Sequence, residues 1–195
     1  RNAPPHCYPC VMPKDSPRGS IQARSTRALI DAQRRIRPDL TLSEKGYVSV
    51  PEENTLPGVE LGQFEADLEQ GDGNELESKF LAAHSSSALA VNCFAPFKDV
   101  IYDLSLSGAK GFEALQFEKK CPTGLKGRRA PNLDIVAEAK NRVVAIESKC
   151  TEYLSTKRAK FAPAYEEQIL DERRESAWFG EMLELDAGTV SYRFL

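Results

Sequence analysis

Between Pro131 and Leu154 the chain carries two short runs rich in β-branched and apolar residues, Leu133–Glu138 and Arg142–Lys149, parted by Lys140-Asn141. Runs of this composition read as strands, and a two-residue gap between them reads as a hairpin. Asn tolerates the positive φ such a turn requires. With Lys140-Asn141 as the turn, Ala139 faces Arg142 and cross-strand partners have residue numbers summing to 281. That register sets Asp134 against Glu147. Directly opposed residues on antiparallel strands have Cβ atoms about 4.5–5.5 Å apart on one face. Glu147 and Lys149 are two apart and share that face as well.

Two carboxylates and an amine on one patch imply chemistry. Like charges facing each other across a ladder are disfavoured, and a divalent cation between them removes the repulsion. Mg²⁺ is commonly held by one or two carboxylates and keeps several waters, leaving room for a phosphate. A metal there polarises a phosphoryl oxygen and acidifies a bound water. Lys149 is then placed to position or deprotonate that water, or to neutralise charge building on the phosphate. Glu-x-Lys taken alone is most often a solvent-facing ion pair. The apolar character of both runs and the opposition of Asp134 to Glu147 argue for a site.

Elsewhere the organisation is coarser. Residues 1–20, rich in Pro, Gly and Ser, read as an arm. Ser25–Ile36 reads as a basic helix ended by Pro38, and 40–62, with Pro51 and Pro57, as an extended connector. A short acidic helix is expected over 63–71. Asn74 can cap a helix from Glu75 to about Asn92, although the serines at 85–87 weaken its apolar stripe. A short apolar stretch, Val100–Tyr102, precedes a turn at Gly108. Phe112–Glu118 reads as a strand, Lys119–Arg129 as a basic loop, and 163–180 as a helix.

The chain has 195 residues, enough for one main domain with an appendage. Apolar and charged fractions of 41% and 28% are those of an ordinary globular protein. No apolar run approaches the roughly 20 residues of a membrane span, so no membrane role is expected. Without an apolar leader or an initial Met, the chain reads as a cytoplasmic protein trimmed or cut from something longer. The net charge of −3 argues against a uniformly basic binder. Its distribution is uneven: residues 1–50 hold nine Lys/Arg against four Asp/Glu, and 51–78 hold nine acids and no base. A local positive surface is enough to approach phosphates.

Pro131-Asn132-Leu133-Asp134, then twelve residues, then Glu147-Ser148-Lys149, resembles the signature of the PD-(D/E)XK nuclease superfamily. Gly73-Asn74-Glu75-Leu76 and the segment His84–Asn92 are similar to a little-characterised bacterial branch of it, so the resemblance covers roughly 73 to 180. It implies an α/β fold: a restriction-endonuclease-like core with a central mixed β-sheet flanked by helices, in the order helix, three strands, helix, strand. The core then occupies 73–195, and 1–72 is an irregular N-terminal extension. The resemblance implies a metal-dependent nuclease acting on nucleic acid, DNA foremost, with Mg²⁺ or Mn²⁺ on Asp134 and Glu147 and with Lys149 catalytic. It adds an acidic residue from the first helix, for which Glu75 is the match ahead of Glu77. Two departures stand out. The Pro lies three residues before the Asp, and a fourth strand must fit within Leu183–Leu195 or be missing.

Lys119, Lys120, Lys126, Arg128 and Arg129 form the best candidate phosphate-contacting segment, with a solvated loop as the equal alternative. Arg24, Arg27, Arg34, Arg35 and Arg37 suggest a second basic surface, for which a solvated helix face is the simpler reading. Cys7 and Cys10 beside His6 resemble half a zinc knuckle, but a structural zinc needs four ligands, so a terminal arm is preferred to Zn²⁺. Cys93, Cys121 and Cys150 read as buried thiols. His84 beside three serines has no Gly-x-Ser-x-Gly elbow, which leaves it a packing role. The rival functions are a non-catalytic nuclease-fold scaffold or nucleic-acid-binding module, and a metal-dependent enzyme acting on another phosphate ester. A Walker loop is absent. Nothing in the residues speaks to oligomeric state.

Overall fold

A computed structural model of the protein describes residues 19–71, 74–122 and 130–154. Helix α1, Ile21–Ile36, begins four residues before the sequence pattern suggests, because the Ser20 side chain caps it by accepting the Ala23 N–H at 3.2 Å. Its one buried residue is Ile30. Ile30 sits over Gly46, whose φ of +79° and missing side chain make the seat; a Cβ there would fall inside the isoleucine. The connector is partly structured, with 3₁₀ turns at Pro51–Asn54 and Leu61–Gln63. The acidic helix α2, Glu65–Glu69, follows the second turn.

The helix expected over 75–92 does not form as one piece. Residues 75–78 make a turn, Lys79–Leu81 a 3₁₀ turn, and helix α3 runs only from Ser86 to Phe94. Long-range backbone bonds compete with the helix in the first half. Val48 N–H donates to Leu81 O at 3.0 Å, Ala83 N–H to Gly46 O at 2.8 Å, and the Asn54 side-chain amide to the carbonyls of Phe80 and Ala82. The serines then act as a start signal: the Ser85 hydroxyl accepts the Ala88 N–H at 3.1 Å.

Strands β1 (Ala114–Lys120), β2 (Asn132–Ala139) and β3 (Arg142–Ile146) form an antiparallel sheet in the order β1-β2-β3. No parallel pair occurs among the described residues. Both segments on which a mixed sheet and a second flanking helix depended, 183–195 and 163–180, lie outside the described residues. The β2–β3 hairpin turns at Lys140-Asn141 in the expected register, from Ala139↔Arg142 to Ile135↔Ile146. β3 is more open than its composition suggests, with Val143 62% exposed.

Leu115 and Phe117 of β1 and Ile135 and Ala137 of β2 pack with Ala88, Ala90 and Val91 of α3. The same core takes in Phe64, Leu68, Phe80 and Leu104, with the Phe64 and Phe80 rings stacked 5.2 Å apart. Each such side chain contributes about 1.5–3 kcal/mol by leaving water. Asp67 of α2 covers the outer edge of β1. Its carboxylate accepts the Phe117 N–H at 2.9 Å and pairs with Lys98 at 2.5 Å. Cys93 is exposed on α3 rather than buried, since Ala88, Ala90 and Val91 take the inward face, while Cys121 and Cys150 are half-buried.

Candidate active site

The β2–β3 ladder stops one pair short of Asp134 and Glu147. Beyond Ile146 the chain leaves the strand, and the Ser148 backbone N–H donates to Asp134 Oδ2 at 2.6 Å. An N–H therefore meets the Asp134 carboxylate where a second ladder pair would have brought a like charge. The Ser148 hydroxyl donates to Ser86 O at 2.8 Å and ties this exit to the first turn of α3. Lys149 Nζ lies 3.9 Å from Asp134 Oδ2 and is hydrogen-bonded to Glu147 Oε1. One ammonium thus touches both carboxylates, and the three residues singled out by spacing are together.

Glu75 joins them from an unexpected place. It stands in the turn before the first core helix rather than on that helix. It accepts the Ser87 hydroxyl of α3 at 2.5 Å and the Lys79 ammonium at 3.0 Å. Its negative charge reaches Asp134. Glu77 is exposed on the same turn.

A further acid was missed. In the β1–β2 register, Phe117↔Ile135 and Lys119↔Leu133 bracket Glu118 and Asp134, so Glu118 lies across from Asp134 on the side away from β3. Glu118 has a φ of +47°, rare for a side chain other than Gly and rarer inside a strand. Burial, then the charges of Asp134 and Glu75, push its carboxyl above the ordinary range, while Asn132 and Lys79 pull it down. The Asp134 carboxyl is also raised. Burial is the chief cause, opposed by the Ser148 N–H, with Glu147 and Glu75 raising it and Lys149 lowering it. The Lys79 ammonium is held above its usual value by its bond to Glu75 and by the surrounding acids. The centre is therefore acidic and short of positive charge.

Hard oxygen donors with uncompensated negative charge fit a divalent cation, and Mg²⁺ asks for only one or two carboxylates. Among the described residues no group of three or more His, Cys, Asp or Glu is gathered closely enough to cage a metal. Any cation would thus rest on a pair such as Asp134 and Glu147 and keep several waters.

The basic loop is divided. Lys119 is engaged by Glu138 at 2.6 Å, and Lys120 is exposed at the end of β1. Lys126, Arg128 and Arg129 lie outside the described residues, as do His6, Cys7 and Cys10. His84 packs edge-on to Tyr47, and its Nδ1 is buried without a hydrogen bond. Among the described residues no helix is long and apolar enough to cross a membrane.

No curated protein and no solved structure matches the chain. A family model described as Restriction Endonuclease associating with ARP matches residues 25–191, from within α1 through the sheet and beyond. With most of its length inside that match, the chain belongs to this restriction-endonuclease-associated family, REase-ARP, and is thereby related to nucleases.

Proposed function

We propose that this protein is a metal-dependent nuclease of the PD-(D/E)XK type, hydrolysing phosphodiester bonds of DNA at Asp134, Glu147 and Lys149. The observation that carries the reading is the convergence of one ammonium, Lys149 Nζ, on the carboxylates of Asp134 and Glu147. Family membership supports the nucleic-acid substrate.

Asp134 and Glu147 would hold Mg²⁺ or Mn²⁺, which when bound supplies a polarised phosphoryl oxygen and an acidified water. The protein's own groups do the rest. The Ser148 N–H holds the Asp134 carboxylate in one orientation, and the Ser148 hydroxyl fixes the chain exit against α3. That leaves Lys149 on a short, anchored segment, able to hold a proton or donate to an anionic oxygen. Glu75, pinned by Ser87 and Lys79, adds negative charge that favours a cation at Asp134.

The alternative is a non-catalytic nuclease-fold scaffold or nucleic-acid-binding module. Cleavage separates the two. Plasmid and single-stranded DNA are incubated with Mg²⁺ or Mn²⁺ and the wild type, Asp134→Ala or Lys149→Ala. Metal-dependent cutting lost in both variants establishes the nuclease. No cutting by folded protein, with no metal binding at Asp134, establishes the module.

A further inference from the structure

Helix α1 presents two unlike faces. The side carrying Ile30, Gln33 and Arg37 turns to the protein: Ile30 seats on Gly46, and Gln33 donates to Asn54 at 3.3 Å. On the other side Arg24, Arg27, Arg34 and Arg35 are all exposed. At 100° per residue these four fall in one stripe about 100° wide, running about 16 Å along the axis. Asp31 is the acid within the stripe, and it pairs with Arg34 at 3.5 Å. Arg34 also donates to Ser43 O. Among the described residues, the guanidinium groups of Arg24, Arg27 and Arg35 have neither an ion pair nor a hydrogen bond. Lys45 and Glu44 flank the stripe on the neighbouring turn and cancel each other.

The position of α1 gives this charge a use. Its inner face, α3 and Cys150 line one cleft of about 810 Å³, and α1 lies against the 3₁₀ turn Glu152–Leu154. Cys150 follows Lys149 directly. The stripe therefore lies on the opposite side of α1 from the cleft that the residue next to the candidate catalytic lysine helps to line. A duplex presents one phosphate per strand every 3.4 Å or so of axis, so a 16 Å row of guanidiniums matches several successive phosphates. Guanidinium is also the side-chain group best matched to phosphate geometry.

We infer that the outer face of α1, through Arg24, Arg27 and Arg35 with Arg34, is a phosphate-backbone contact surface that seats nucleic acid beside the candidate site. This deepens the nuclease reading and rests on it for the identity of the ligand. The binding is independent of sequence and salt-sensitive, and it supplies the positive surface that the acidic centre lacks.

The test is binding of a short fluorescent DNA duplex in EDTA, so that cleavage plays no part, titrated between about 50 and 200 mM salt. The proteins are the wild type, the triple variant Arg24→Gln/Arg27→Gln/Arg35→Gln, and the triple Arg→Lys variant. Loss of about tenfold or more in affinity is expected for the Gln variant, with the slope of log affinity against log salt falling by about 2 to 3. The Lys variant retains most of the slope. Melting curves of the three proteins separate unfolding from lost contact. Equal affinity and slope for wild type and the Gln variant overturn the inference and leave the stripe a solvated helix face. Binding through the stripe by a protein that never cuts DNA overturns the nuclease reading and leaves this one standing.

Discussion

Asp134 accepts the Ser148 main-chain N–H at 2.6 Å at the point where the β2–β3 ladder gives out, so the residue between Glu147 and Lys149 orients the acid of the opposite strand. Burial and the neighbouring acids raise the folded-state pKa of Asp134. The folded protein therefore holds that proton longer than the unfolded chain, and stability falls as pH rises from the unfolded value toward the folded one. Asp134→Asn removes the charge and keeps an acceptor for Ser148. Thermal melts in EDTA should show this variant more stable than wild type at pH 7, with the gain shrinking as the pH falls through the raised folded value and gone below about 4. A loss of stability at pH 7 would contradict the electrostatic account.

Ser148→Ala deletes only the hydroxyl bond to Ser86 O and leaves the main-chain donor in place. The expected cost is about 1 kcal/mol. If the anchor matters to the site, cleavage by this variant falls further than its stability does, which a comparison of denaturant midpoints with initial rates would reveal.

Gly46→Ala meets two obstacles together, a φ of +79° and the Ile30 side chain. Overpacking of this kind costs about 1–3 kcal/mol. Because Ile30 is the one buried residue of α1, the damage should centre on that helix. Hydrogen exchange is expected to show α1 amides losing protection while the amides of β1 and β2 keep theirs.

Glu152 supplies the acid-side dependence. Partial burial pushes its carboxyl up, but the backbone N–H groups of Glu152, Thr151 and Cys150 and the Ser86 hydroxyl together hold it below the usual value. A depressed folded pKa gives stability that is present above the unfolded value, about 4.5, and is lost as pH falls through the folded one. Glu152→Gln should lower stability at pH 7 and flatten the acid limb of the stability profile. A variant with an unchanged acid limb would remove Glu152 from this role.

Ser85→Ala tests the start of α3. Loss of the hydroxyl that accepts the Ala88 N–H should cost about 0.5–2 kcal/mol. Ser85→Asp should restore most of it, read from chemical denaturation.

The hairpin was legible from residue order because everything that sets it is local. A two-residue turn fixes the register of β2 and β3 and so delivers the chain beyond Ile146 to Asp134, where Glu147 and Lys149 meet it just past the end of the strand. Helix α1 was legible in the same way, from its periodicity and from Pro38. Glu118 was not. β1 and β2 are joined by residues 121–131 with no short turn to set their register, so its place across from Asp134 depends on how the two strands pack. The position of Glu75 was likewise decided in three dimensions. Pattern alone favours one helix from Glu75, but backbone bonds from residues 46–48 and the Asn54 amide capture residues 80–83, a competition between segments distant in the chain. The sequence by itself determined which residue types meet on the hairpin. Only tertiary structure decided which other acids surround them, because those contacts join segments whose register no local turn controls.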